Sequence, residues 1–433
     1  MLEKLFKLKE NKTSVKTEII AGITTFMTMA YILVVNPDIL GQSGMNPSGV
    51  FVATTIAAGL ATIIMALYAN YPFALAPGMG LNAFFTYTVV MEYGFTWQEA
   101  LFIILAEGLI FILLSFFKVR ELIFDSIPLA LKNAVSAGIG LFIALIGFSN
   151  AGIITNQGAT ILSLTKITEP GPLLAIIGVL LTGFLIAKKV KGAILIGIII
   201  TTIIGIPLGV TVIPENFQIF RLPHDLSDVA FKMQVPQNLL SSKVLLAIFT
   251  FLFVDMFDTV GTLAGIASKS NMLNSEGKLP RVERALLSDA VGTTAGALLG
   301  TSTVTTFVES SAGVAEGGRT GLTALTTGIL FLLSTFLAPL FLLVPSQATA
   351  PALIIVGLFM ISPIKDIEWD DFTVSVPAFL TMVMMPFAYS IAEGIVFGMI
   401  SYTILKAVTG KFKDISPLMI VISILFVIRF FVI

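Results

Sequence analysis

The chain contains no cysteine, a single histidine (His224) and two tryptophans in 433 residues. The lack of cysteine excludes disulfides, cysteine-ligated iron–sulfur clusters and a thiol nucleophile. His224 falls in a loop expected outside the membrane, so neither a histidine-ligated metal nor a histidine proton relay is expected within a bilayer. Charge is scarce as well. Only 12% of residues are Asp, Glu, Lys or Arg, against about 25% in a soluble domain. The net charge of −1 argues against a nucleic-acid partner. A secretory signal is not expected either. Lys4, Lys7, Lys9, Lys12 and Lys16 precede an apolar run at Glu18–Pro37 that is too long for a signal peptide and lacks a small-residue cleavage site.

What the chain has is apolar length. It is 56% hydrophobic with a mean hydropathy of +0.98, and apolar runs of about 20 residues, enough to cross a bilayer as a helix, recur throughout. The expectation is an all-α polytopic membrane protein with fourteen spans: 18–37, 50–70, 72–91, 97–117, 128–149, 172–188, 191–213, 244–267, 282–300, 301–320, 321–343, 346–362, 372–388 and 391–409. The basic arm at 1–17 reads as cytoplasmic by the positive-inside rule. Alternation from there puts Lys118, Arg120, Lys132, Lys188, Lys189, Lys191, Lys269, Lys278, Arg281, Arg284, Lys406, Lys411 and Lys413 inside. The long loop at 214–243 falls outside, with Arg221, Lys232 and Lys243 accompanied by acidic residues. A last apolar segment, 410–433, is a fifteenth span or an interfacial helix.

Fourteen invites division into seven plus seven. PLALKNAVSAGIGLF from Pro128 and PSQATAPALIIVGLF from Pro345 place GLF at the same distance after the proline. FLIAKKVKGAILIGI at 184–198 pairs with FAYSIAEGIVFGMI at 387–400, and PFALAPGMGLNA at 72–83 with VTTFVESSAGVA at 304–315. Because seven is odd, the second copy, 244–409, is expected inverted relative to the first, 18–213. That arrangement sets a substrate site near the midplane between the repeats.

The third and tenth spans are interrupted by glycine, proline and polar residues, the best sequence pointer to such a site. Each is expected to run as a short extended piece into a half-helix. Pro77 suits a first helical turn, while Gly78 and Gly80 allow close approach to the backbone or tight helix packing. Glu309 stands in the middle of the tenth span, where a charge costs about 2.5–3.5 kcal/mol on the mildest scale, so it is read as a site residue. On the eighth span, Asp255 and Asp258 are three residues apart and share a helical face. Asp258 is expected to accept hydrogen bonds from a substrate or carry a coupled proton, and Asp255 to do the same or anchor structure. Asn82 reads as a base-edge or helix-packing partner, and Phe73 as a ring-stacking or core residue. Glu107 and Asp289 read as structural or gating groups.

EIIAGITTFMTMAYILVVNP at 18–37, ALAPGMGLNAFF at 74–85, FVDMFDTVGTLAGIA at 253–267 and TSTVTTFVESSAGVAEGGRTGLTAL at 301–325 resemble the AzgA-like purine permeases, relatives of the uracil and xanthine permeases. The resemblance implies a core domain (18–117 plus 244–343) that moves against a gate domain (128–213 plus 346–409), with homodimerisation through the gate. It implies base-binding roles for Asp258, Glu309, Asn82 and, on or near it, Phe73, with Ser310, Gly78 and Gly80 in the same set. Asp258 stands where the uracil permeases have Glu. The activity it implies is import of a purine base, guanine or hypoxanthine before adenine, in symport with a proton across the cytoplasmic membrane. Sodium is the alternative coupling ion, and no cofactor or metal is expected. An anion carrier or channel of the same architecture is the second reading. Paired aspartates one turn apart on one helix fit an intramembrane protease poorly.

Overall fold

The computed structural model describes residues 2–117, 127–155, 162–269, 272 and 279–432. Lys118, Arg120 and Lys278, assigned above to the cytoplasmic side, lie outside the described residues. Among the described residues, nine helices are long and apolar enough to cross a membrane, and three shorter apolar helices accompany them. The protein is a multi-pass membrane protein.

The first segment after a short N-terminal helix is α1, Val15–Met29, followed by α2, Ile32–Gly41. Next come α3, Pro47–Ile64, strand β1, Leu75–Pro77, and the short helix α4, Met79–Ala83, which continues as a π-helical stretch, Phe84–Glu92. Helices α5, Trp97–Phe117, and α6, Leu129–Asn150, precede a two-residue hairpin, β2 Ile154–Thr155 and β3 Ser163–Leu164. Helices α7, Pro170–Ala187, and α8, Ala193–Gly205, end the first half. The second half holds α9, Ser242–Lys269, α10, Val282–Leu299, β4, Val304–Thr306, and the short α11, Ser310–Ala315. Then follow α12, Gly321–Ser334, α13, Ser346–Ile361, α14, Phe372–Phe387, α15, Ile391–Val408, and α16, Pro417–Val432.

Every expected span contains a helix, with two differences in extent. The first span reaches from Val15 to Gly41 and is broken at Ala30–Tyr31 rather than running unbroken over 18–37. The seventh ends at Gly205, well short of 213, because Ile206-Pro207 opens a turn. The last apolar stretch forms α16, which lies along α15, with Ser423 bonded to the Thr403 hydroxyl and the Met399 carbonyl.

The helices pack in two groups. In one, α12 lies against α1 and α3, and α10 against α3 and α5. In the other, α13 and α14 lie against α6, α7 packs on α8 and α13, and α15 on α14. Glycine sets the closest crossings, as expected where helices associate by packing in lipid. Gly59 of α3 faces Gly328 of α12, and Gly140 of α6 faces Gly357 of α13: a Cβ built on Gly140 would lie 2.6 Å from the Gly357 carbonyl oxygen, and one on Gly357 would lie 2.5 Å from the Gly140 carbonyl oxygen. Outward positions such as Leu180, Ile203, Leu333 and Ile404 are more than half exposed, which suits contact with lipid.

Buried carboxylates tie the first group together. Glu18, fully buried, accepts from the backbone N–H groups of Arg319, Thr320 and Thr323 and from the hydroxyls of Thr320 and Thr323. It thereby serves the otherwise unpaired donors at the start of α12. Asp289 accepts from the hydroxyls of Thr259 at 2.9 Å and Thr306 at 3.3 Å, joining α10, α9 and β4. The expected structural role for Asp289 accords with these bonds.

Candidate functional site

The two interrupted spans meet. β1 and β4 pair antiparallel in the register Leu75–Thr306, Ala76–Thr305 and Pro77–Val304. Each is also clamped by a threonine of a neighbouring helix. Thr62 of α3 bonds both the N–H and the carbonyl of Leu75, and the Thr293 hydroxyl of α10 donates to the Val304 carbonyl at 2.9 Å. Pro77 therefore ends the strand instead of starting the helix. Gly78 takes the N-cap place, and its N–H donates to the Thr303 carbonyl at 3.0 Å.

Glu309 follows β4 at the N-cap of α11 and is half-buried. Its Oε1 accepts the Tyr31 hydroxyl at 2.6 Å, and its backbone carbonyl accepts the Thr28 hydroxyl at 3.4 Å. Ser310 Oγ accepts the Ala74 N–H at 3.0 Å, and the Phe307 N–H donates to the Ala74 carbonyl at 3.0 Å. Asp258 is half-buried on α9, the helix that packs against both β4 and α11. Three broken spans, the first at Tyr31, the third at Ala74 and the tenth at Glu309, thus converge beside a carboxylate from a fourth helix. The arrangement offers two carboxylates as acceptors and one phenol already engaged with one of them.

The structure distributes the other expected residues unevenly. Asn82 is fully buried on α4. Its Oδ1 accepts from the Ser302 hydroxyl, while its Nδ2 has no hydrogen-bond partner among the described residues. Asp255 is fully buried, one turn along α9 from the half-buried Asp258. Phe73 takes the core place, the second of its two expected readings. It is fully buried, and its ring stacks on Tyr71 at 5.2 Å and 20°, with the Arg281 guanidinium over the Tyr71 ring. In this conformation the Phe73 ring belongs to an inner aromatic cluster. Gly78 and Gly80 likewise follow the packing alternative. A Cβ at Gly78 would lie 2.7 Å from Thr305 Cγ2, and one at Gly80 would lie 2.7 Å from Ile139 Cγ2. The space these glycines leave is filled by protein: by β4 at Gly78 and by α6 of the second helix group at Gly80.

Sequence reasoning missed Tyr31. A tyrosine in an apolar run reads as a core or interface aromatic, but TTFMTMAY carries three threonines ahead of it. Thr28 bonds back to the Thr24 and Thr25 carbonyls at 3.2 and 2.8 Å, a pattern that bends helices.

The profile of the permease family matches residues 16–397. The chain belongs to this family of permeases. Among curated proteins, a putative permease of Methanocaldococcus jannaschii is 48% identical over 99% of this chain and 98% of its own length. The guanine/hypoxanthine permease PbuG of Bacillus subtilis is 44% identical, covering 99% of each chain. The adenine permease AdeP of Escherichia coli is 43% identical over 99% of this chain and 96% of its own. Among solved structures, the transmembrane domain of the cyanobacterial bicarbonate transporter BicA superposes with a TM-score of 0.65 at 14% identity, over 88% of this chain and 96% of that one. The likeness at such low identity is one of fold. The permease is a transporter, not an enzyme, and the AzgA-like resemblance agrees with the relatives found.

Proposed function

We propose that this permease imports a purine base across the cytoplasmic membrane in symport with a proton, with guanine and hypoxanthine as its substrates. The observation that carries the reading is the Tyr31–Glu309 bond where broken spans meet, with Asp258 on the helix packed against β4 and α11. Hypoxanthine and guanine carry an N1–H beside the C6 carbonyl and a second N–H on the imidazole ring. Adenine has a bare nitrogen at N1. Two carboxylate acceptors match the first pair of bases better. The names of the relatives support a purine, and similar identities to an adenine and a guanine/hypoxanthine permease leave the choice between them to this chemistry.

A proton can be held by a single carboxylate, whereas sodium needs several oxygen ligands around it, which is our reason for choosing the proton as the coupling ion. Site opening to alternate sides would come from the first helix group moving against the second, with the N-terminus cytoplasmic and the second group forming a homodimer contact. Differential affinity of the two states for base and proton supplies the coupling.

The test is uptake of radiolabelled hypoxanthine by a purine-transport-null cell, with guanine and adenine as competitors. Uptake should be blocked by guanine more strongly than by adenine and should decline when the proton gradient is collapsed. Glu309→Gln should lower uptake about ten-fold or more, the scale of a lost hydrogen bond to a charged group, with the protein still in the membrane. Failure to take up any of the three bases overturns the reading. Anion transport is the second reading of this architecture. Current evoked by bicarbonate or sulfate in reconstituted vesicles, without purine uptake, would establish it instead.

A further inference from the structure

The break in the first span has a chemical outcome that packing does not require. Tyr31 is fully buried at the junction of α1 and α2, and its hydroxyl is spent on Glu309 Oε1 at 2.6 Å. A phenol has one proton to donate, and a carboxylate has two oxygens. With Oε1 holding the phenol and the Glu309 backbone N–H also directed at the carboxylate, its rotation is restricted, and a further donor must use the lone pairs that remain. Thr28, three residues earlier, holds the backbone carbonyl of the same glutamate.

Resting on the transport reading above, we infer that Tyr31 is the positioning residue of the substrate site: it fixes Glu309 so that one carboxylate oxygen is presented to the N–H of the base, and thereby sets affinity. The Thr28 bond is the plain tether between the first and tenth spans. The two roles separate experimentally because one bond goes to the carboxylate and the other to the backbone.

The experiment is hypoxanthine uptake in purine-transport-null cells with the protein at the surface quantified. Tyr31→Phe should raise KM about ten-fold, the loss of one charge-assisted hydrogen bond, with Vmax per molecule little changed. Tyr31→His, which retains a ring N–H donor, should recover part of the affinity. Thr28→Val should leave KM as it is. In a cycle with Glu309→Gln, read by the stabilisation that hypoxanthine gives the purified protein against heat, the two losses should be less than additive, because both remove the same charged contact. An unchanged KM in Tyr31→Phe overturns the inference. So does a lowered KM, which would mean that the phenol competes with the base for the same oxygen, or a loss of Vmax alone, which would mean a tether. If Tyr31→Phe does not accumulate, Tyr31→His and the wild type are compared by the same thermal shift, where equal affinities together with additive losses in the cycle overturn it. Absence of uptake by the wild type is a different failure and removes the transport reading itself.

Discussion

At the residue scale, the carboxylates were legible because the membrane makes them expensive. Glu309 and Asp258 sit in apolar runs and had to face protein or water, and they lie on elements that pack against each other. Tyr31 was not legible because an aromatic in an apolar run carries no such penalty. Its role rests on where the helix breaks. The glycines were legible as close approaches but not as to what approaches. Gly80 shows the difference, since its missing Cβ makes room for Ile139 of α6. Gly80→Ala should therefore lower transport by jamming the contact between the two helix groups, and Ile139→Ala should restore it in the double variant. If the gap served the substrate, Ile139→Ala would leave the Gly80→Ala defect in place. Uptake by the two singles and the double decides it.

At the element scale, the spans were readable from apolar length, but their internal breaks were readable only where glycine or proline marked them. Ala30–Tyr31 has neither, and the π-helical stretch at Phe84–Glu92 has no sequence mark; such stretches frequently occur at functional sites. The broken first span has a second consequence. Asp38 stands seven residues after Tyr31, about two turns along α2. Its Oδ1 accepts the Ser346 hydroxyl at 2.6 Å and its Oδ2 the Thr349 hydroxyl at 2.8 Å, both in the first turn of α13 in the other helix group. At the same end Tyr87 donates to Gln42 and accepts from Asn150, Thr88 donates to the Tyr389 carbonyl, and the Tyr389 ring meets Phe142 edge-on at 5.4 Å. These bonds join the two helix groups at that end and are expected to act as a latch. Asp38→Ala removes two hydrogen bonds to a charged group, worth about 1.5–3 kcal/mol each, and should shift the protein toward opening there by ten-fold or more. The absence of cysteine makes the measurement simple. A single cysteine at buried Ile146 of α6, one turn before Asn150, should react faster with a membrane-impermeant maleimide in the Asp38→Ala background. An equal rate in both backgrounds would refute the latch.

At the scale of the whole molecule, composition sufficed for the class, since few charges and recurrent apolar runs admit little else. The way the helices divide into two groups was less legible, because it depends on crossings set by small residues far apart in sequence. One crossing says more than the rest. Gly140 and Gly357 occupy the same place in the two matching segments, twelve residues after Pro128 and Pro345, and their backbones touch each other. A residue that meets its own counterpart is what an inverted repeat with a twofold axis would give, the geometry of a self-complementary contact in a symmetric dimer. The loop at 214–243, which lies over the helix ends through the bonds from Phe231 to Leu298 and from Gln234 to Gln98, would then join two halves that each fold as a unit. Two half-chains cut within that loop and produced together should find each other in the membrane, co-purify and restore uptake, whereas neither half alone should do so.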